Sequence, residues 1–553
     1  MKIFIAFIFS LSLSYANTVF VTPDGRSFFY EGTKINTVTL QEALDGKSMR
    51  IELLPGIYNV HCEIKRQGFP DKPLEIIGNK GVILDGQTQA GKTQKPAFHI
   101  EKKTWITISN IEFRDYWNTT ILIKNSSYIT VSNCKFTGAR WPIFARGKKT
   151  HHLLVDSNSW TQDPSGDMWR KIPWAESHHG EYGFYNGALL GGKQILGSVV
   201  FRNNLVSYAY NAIRIVGNRK DHYQDNFNVE VYANKFEYIR DNPVEPEGSA
   251  SNWWIHHNKF YNCYALLSFT EVAGENWFVF RNIGWWDEAP GDNGGHSRGK
   301  IYKFANTGPY PRGNFWAFHN SWYSRSPLTM GGTTRYFHHY NNAIFYTREV
   351  AMLETDADSK IQHEIFDPSY KLDYNISNLS YPEKILQQDY EQHSLVQDTK
   401  FVDAPNGNFC LQENSPAIDS GKVLQIQSWR SQFIGAAPDI GAFEKTAWLP
   451  GPPFRFMSGI YEERPRIVRL QQQKTLTIWF SVPMEEKQIE ITIVSEGKSI
   501  SQFAQIKGHT LTSKIPKSTK PYIIYLPKNL YGQNKRGLTL WSCQYNNILL
   551  KPH

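Results

Sequence analysis

The chain alternates short apolar runs with single polar corners, and the runs resemble one another. WITISNIEF (105–113) and YITVSNCKF (128–136) are near copies, with Asn110 and Asn133 spaced by 23 residues. Similar units carry Asn158, Asn204, Asn234, Asn258, Asn282, Asn320 and Asn342. The gaps between successive Asn are 23, 25, 46, 30, 24, 24, 38 and 22. The gap of 46 reads as two units, and the other large ones as a unit plus an inserted loop. Each run is β-branched and aromatic, which favours a strand. The Asn suits a bend, because its side chain bonds locally and tolerates the left-handed conformation. A unit of this length buries no core alone, but stacked units do. A sandwich of evenly spaced strands would not place Asn at one phase of every repeat. The pattern therefore predicts stacked coils in which Asn amides bond to the next coil.

The ends of this region carry further motifs: FVTPDGRSFFYEGT (20–33), TLQEAL (39–44), LLPGIYNV (53–60), NFCLQENSPAIDSGK (408–422) and APDIGAFE (437–444). With the repeats, residues 18–445 resemble the right-handed parallel β-helix proteins of pectate lyase-like, carbohydrate-active type. That resemblance implies an all-β solenoid and is almost silent on chemistry, because fold does not give function. Beyond WLPGPP (448–453) the Asn-ended units stop, and TLTIWFSV, IEITIV and PYIIYL alternate like short antiparallel strands. The expected organisation is a signal peptide (1–16), a right-handed parallel β-helix (17–447), a linker (448–453) and a small antiparallel β-sandwich-like domain (454–553).

Charge changes the picture only by its location. Of 553 residues, 60 are Lys or Arg and 51 Asp or Glu, giving +9. Residues 451–553 hold 15 of the former and 6 of the latter, so the remainder balances. The expected solenoid thus has no basic excess that would suit nucleic acid, and the C-terminal part caps the solenoid or adheres to an anionic surface. MKIFIAFIFSLSLSYA reads as a secretory signal, and no later run reaches a membrane-spanning length, so a secreted or periplasmic monomer is expected. The five cysteines lack CxxC spacing and indicate neither a disulfide framework nor a zinc cage. Aromatics at 14% serve as core filler or as sugar platforms.

Candidate chemistry centres on DNPVEPEG (241–248), with Asp241, Glu245 and Glu247 within seven positions. Aligning its Asn with those of YNGALLGG (185–192), YNAIRIVG (210–217) and YNCYALLS (261–268) puts Leu189, Arg214 and Glu245 in one column and Gly191, Val216 and Glu247 in another. Residues i and i+2 of a strand share a face, so both Glu should point outward with Arg214 beside Glu245. Three readings stay open: a surface ion pair, a carboxylate pair for glycoside hydrolysis, or a calcium site. EPEG also resembles the Glu-x-Glu strand of chondroitinase-B and alginate lyase type enzymes. That resemblance implies calcium at Glu245 and Glu247, with a lysine base five residues on, where this chain has Asn252. Lys300 or Lys303 is a possible substitute.

Around the patch, ESHHGEYGFYNG (176–187) supplies His178, His179 and Tyr182. Four His-His pairs occur, but adjacent residues of a strand face opposite ways and make poor joint metal ligands. WWDEAPGDNGGHSRGKIYKF (285–304) interrupts the repeat with Asp287, Asp292, His296, Arg298 and Lys300. Candidate catalytic residues are Glu245, Glu247, Arg214, His179 and Asp241. Candidate substrate-binding residues are His178, Tyr182, Trp253, Glu271, Trp286, His296 and Lys300. The expected function is cleavage of glycosidic bonds in a polysaccharide, by hydrolysis or, alternatively, by β-elimination on a uronate-containing glycan with calcium as a possible cofactor. The residues also allow non-catalytic glycan binding and C5-epimerisation.

Overall fold

The computed structural model describes residues 18–30, 33–218, 225–269, 272–290, 300–303, 312–326, 328, 336–347, 370–380, 389–426, 429–452, 454, 467–472, 475–480, 484, 486–495, 498–507, 510–514, 522–526, 543–545 and 548–552. Two compact units result, one running to Ala417 with Ile440–Ala442, the other comprising Ile418–Asp439 and the chain from Phe443 onward.

The first unit is a right-handed parallel β-helix. Each coil gives one strand to each of three parallel sheets. Gly197–Arg202, Leu205–Ala209 and Asn211–Val216 form one coil, and they pair in register with Phe227–Tyr232, Lys235–Ile239 and Val244–Ser249 of the next. Alternation sends one set of side chains inward. In the first sheet that set stacks as Ile106, Ile129, Leu153, Val199, Val229, Trp253, Trp277, Phe315 and Phe337, so the core changes from aliphatic to aromatic along the axis. The helix Leu40–Asp45, closed by a Thr39–Glu42 capping box, buries Leu40, Ala43 and Leu44 at the N-terminal end of this core.

The corner between the first and second sheets uses two adjacent residues. The first adopts positive φ, as at Ser157, Asn203, Ala233, His257, Arg281 and His319. The second is the buried Asn of the repeat. Each such Asn presents its Oδ1 to the backbone N–H and the side-chain amide of the Asn one coil earlier: Asn204 to Asn158, Asn234 to Asn204, Asn258 to Asn234, and onward through Asn282, Asn320 and Asn342. The contacts span 2.9–3.2 Å. The ladder runs one coil further than the repeat suggested, to Asn375.

Two expectations from the repeat are corrected. Asn110 and Asn133 lie outside the ladder: both are exposed residues at the positive-φ position, and Ile111 and Cys134 hold the ladder place. The spacing of 46 is one coil, because Asn158 bonds Asn204 directly and Ser159–Thr161 pairs with Leu205–Ala209. The surplus residues form an excursion between Thr161 and Ala188 that contains the short helices Asp167–Arg170 and Trp174–His178.

The second unit contains an eight-stranded sheet, antiparallel except where Tyr522–Leu526 runs parallel to Ile548–Pro552. Leu476, Ile478, Ile491, Ile493, Ile506 and Ile524 are among its buried side chains. No helix among the described residues is long and apolar enough to cross a membrane.

Because the ladder amides have no water to turn to, truncating one strands several partners at once. Asn258→Ala should lower unfolding free energy by about 2 kcal/mol or more. Asn110→Gly, at an exposed left-handed corner, should change it by less than about 0.5 kcal/mol. Denaturant unfolding of the two variants checks the contrast.

Candidate functional site

Val244–Ser249 turns Val244 into the core over Ile213, so Glu245 and Glu247 take the outer face. The strand pairs with Asn211–Val216, placing Arg214 beside Glu245 and Val216 beside Glu247. Upstream the expected columns are displaced. Gly191, not Leu189, neighbours Arg214, and Lys193 neighbours Val216. The shift arises because Asn186 lies just past the 3-10 turn Gly183–Tyr185, outside the strand, so it is not the counterpart of Asn211.

Arg214 clamps both carboxylates. Its Nε donates to Glu247 Oε1 at 2.8 Å, its Nη2 lies 2.5 Å from the same oxygen, and its Nη1 donates to Asn186 Oδ1 at 2.5 Å. Glu245 Oε2 is 3.2 Å from Nε. That hydrogen is directed at Glu247, so Glu245 Oε2 is buried without a hydrogen-bond partner among the described residues. Glu245 is 7% exposed and Glu247 8%. Such burial favours the neutral acid. It pushes the Glu245 carboxyl up to about 8, with Asp241 and Glu247 adding to the rise and Arg214 and Lys303 opposing it. Burial disfavours the charged form of Arg214, and the acidic groups around it outweigh that, so the guanidinium stays charged.

The excursion before Ala188 covers this face. Asp163 receives the Ser165 and Met168 amides, fixing a turn that buries Met168 and Trp169. Ile172 O accepts from the Arg240 guanidinium at 3.1–3.2 Å, and Trp174 Nε1 donates to Asp241 Oδ1 at 3.2 Å. The Trp174 ring stacks on His178 at 4.2 Å. His178 Nδ1 is hydrogen-bonded to the Tyr210 hydroxyl, and Asn186 Nδ2 donates to the His178 carbonyl. Burial lowers the His178 imidazole to about 4, against the pull of Asp241, so the ring is neutral at neutral pH. Burial also carries the Tyr210 phenol well above its ordinary value.

The candidates divide accordingly. Asp241, Glu245, Glu247, Arg214 and His178 come together. His179 is exposed at the end of Trp174–His178, and His178 is the histidine that turns inward. Tyr182 is half-buried against Met168, Ile172 and Tyr210. Trp253 is fully buried in the inward column between Val229 and Trp277, and Trp286 is buried with its indole N–H on Cys263 O. Neither ring can meet a sugar. Glu271, His296, Asp292 and Arg298 lie outside the described residues. Lys300 pairs with Ala265, whereas Lys303 pairs with Ser268, the residue after Leu267, which neighbours Val244. Lys303 therefore continues the Arg214–Glu245 column, and its charge acts on both Glu245 and His178. Sequence spacing missed Tyr210, Asn186 and Trp174. The YN dipeptides at 185–186 and 210–211 were the available signal.

Calcium takes six to eight oxygens, whereas here one guanidinium already occupies the space between the two carboxylates. Among the described residues no group of three or more His, Cys, Asp or Glu is arranged to hold a metal ion. The donor set does not fit the ion that the Glu-x-Glu resemblance implied.

No family model matches the chain, and no curated protein matches it in sequence. Several solved structures are similar over part of the chain. A pectate lyase, Pel9A, is similar at 14% identity and a TM-score of 0.40, over 77% of this chain and 96% of its own. The surface adhesin PfbA of Streptococcus pneumoniae is similar at 12% identity and 0.36, over 61% and 83%. An endo-xylogalacturonan hydrolase from Aspergillus tubingensis is similar at 8% identity and 0.33, over 77% and 98%. These likenesses add nothing beyond the coil already read from the strand pairing.

A carboxyl that keeps its proton to about pH 8 when folded, and releases it near 4.5 when unfolded, stabilises fully below 4.5. That contribution is lost as pH rises toward 8. Glu245→Gln should remove the slope, so the variant gains on the wild type between about pH 5 and about pH 8. Unfolding midpoints across that range check the sign.

Proposed function

We propose that this chain is a glycan-cleaving enzyme whose reaction centre is the Glu245–Glu247–Arg214 cluster, and that it works by hydrolysis. The observation that carries this reading is Glu245 itself: a buried carboxyl, protonated at neutral pH, with one oxygen that has no hydrogen-bond partner among the described residues, beside a second carboxylate held by a guanidinium. Glycoside hydrolysis needs this asymmetry, one carboxyl to protonate the leaving oxygen and one to act as nucleophile or base. Glu245 is the donor and Glu247 the partner. Arg214 keeps the two in different environments by directing its hydrogen bonds to Glu247. Trp174, His178 and Tyr210 wall the cluster, and a neutral His178 adds no charge that would pull the proton from Glu245.

A second reading has its own support. A neutral His178 bonded to Tyr210, with Lys303 acting on the same ring, offers a base and a cation for β-elimination at a uronate. A signal sequence and a polysaccharide partner are compatible with either chemistry.

Incubation with a panel of neutral and acidic polysaccharides separates the readings. Hydrolysis yields new reducing ends without the ultraviolet absorbance of an unsaturated uronate, and a strong absorbance would overturn it. Glu245→Gln should cut turnover by roughly 100-fold or more while leaving glycan binding measurable. Activity should survive EDTA. Binding without turnover by the wild type would instead mark a glycan-binding protein.

A further inference from the structure

The outer face changes character on the N-terminal side of the cluster. The column that holds Glu245 and Arg214 continues to Gly191 and then Phe144. A Cβ at Gly191 would lie 2.3 Å from Trp141 Cε3 and 2.8 Å from Phe144 Cδ2. Only a residue without a side chain lets those rings close over the backbone. They stand 5.4 Å apart, tilted by 53°, and both are half-exposed. This is an apolar floor where solvent can reach it, built on the same face and in register with the acidic pair.

Beside the floor stands a cation, Arg140. Arg140 lies over the Trp141 ring at 5.7 Å, and its Nε donates to Asn186 O at 2.7 Å. Asn186 is the residue whose side chain receives Arg214, so one Asn ties the two guanidinium groups together. Among the described residues no carboxylate pairs with Arg140, and neither Nη group has a hydrogen-bond partner. Burial and the like charge of Arg214 both act against its proton. Arg146 and Lys193, neighbours across the sheet, are exposed on the same face and have no ion pair among the described residues. A planar fork left open beside an aromatic ring matches a sugar that carries an anionic group: the ring stacks and the fork takes two oxygens.

We propose that Trp141 and Phe144 form a sugar-stacking subsite in which Arg140 binds a carboxylate or sulfate on the stacked residue, so that the substrate is an acidic polysaccharide lying along the outer face toward Glu245. The inference rests on the reading of the Glu245 cluster as a glycan-cleaving centre. Three strand steps of about 4.8 Å separate the floor from Glu245, roughly 14 Å.

The test uses the full chain carrying Glu245→Gln, titrated with a uronate polymer, its carboxyl-reduced form, a sulfated glycan and a neutral glucan. Binding should favour one of the anionic polymers over the neutral ones, and which one distinguishes carboxylate from sulfate. Adding Arg140→Gln should weaken that binding by about tenfold or more, the scale of one charge-assisted bidentate pair, and should leave the reduced polymer unaffected. Trp141→Ala should weaken all of them, and Trp141→Tyr should restore most of the loss. An unfolding midpoint matched to the parent shows that the variants are folded; if Arg140→Gln does not fold, Arg140→Lys, which keeps the charge but not the fork, carries the same comparison. Equal binding of anionic and neutral polymers overturns the inference, as does unchanged affinity in a folded Arg140 variant. If the wild type cleaves glycans while Arg140 proves irrelevant, only the subsite falls. If it neither binds nor cleaves any polymer, the reading of the cluster falls with it.

Discussion

One hydrogen-bond geometry sets the register of the solenoid: a side-chain amide that accepts from the backbone N–H and the amide of the same residue one coil earlier. Parallel strands can slip by two residues without exposing their apolar face, since parity is kept. The ladder removes that freedom, because a slip at any of its seven steps would bury unpaired amides. With the corner fixed, each strand of the third sheet starts from a defined point. Arg214 then meets Glu245 and not its neighbours. The Glu245–Glu247–Arg214 cluster is therefore positioned by amides on a different edge of the coil.

The same rigidity explains why the excursion between Thr161 and Ala188 is tolerated. It leaves from one strand end and returns to another within a single coil, so the ladder closes from Asn158 to Asn204 undisturbed. Freed from the coil repeat, those residues bring groups that a strand cannot offer to the outer face: an indole N–H for Asp241, an imidazole for Tyr210, an amide oxygen for Arg214. The scaffold supplies the carboxylates, and the excursion encloses them.

How much was legible follows from this division. The ladder was readable because the same amide recurs at one phase, and Arg214 beside Glu245 was readable because the intervening chain re-enters the sheet at equivalent corners. Leu189 was misplaced because a 3-10 turn precedes its strand and destroys the equivalence of Asn186 with Asn211. Reading 46 residues as two coils hid the excursion altogether, and with it the role of Trp174. Trp253 illustrates a subtler limit. Nothing in WW distinguishes the inward ring from the outward one until the parity of Val229 and Trp277 is known. His178 and His179 pose the same problem on a short helix, where neither a strand nor a long helix period applies.

Burial alone does not single out Glu245, and the solenoid contains its own control. Glu391 ends the Asn ladder, is 4% exposed, and is pushed up to about 7 by burial, much as Glu245 is to about 8. Yet Asn375 donates to both of its oxygens at 2.9–3.1 Å, and Ser394 donates to one at 2.5 Å. Three hydrogen bonds from Asn375 and Ser394 hold its two oxygens, so Glu391 closes the end of the ladder. Glu245 has the opposite arrangement. Its guanidinium neighbour directs its hydrogen elsewhere, its Oε2 has no hydrogen-bond partner among the described residues, and the guanidinium charge is shared with Glu247. An unsatisfied buried polar atom costs roughly 1–3 kcal/mol, and a fold that satisfied Glu391 so fully had the means to satisfy Glu245 as well. The difference lies in what each carboxyl faces: another coil in one case, the outer surface in the other.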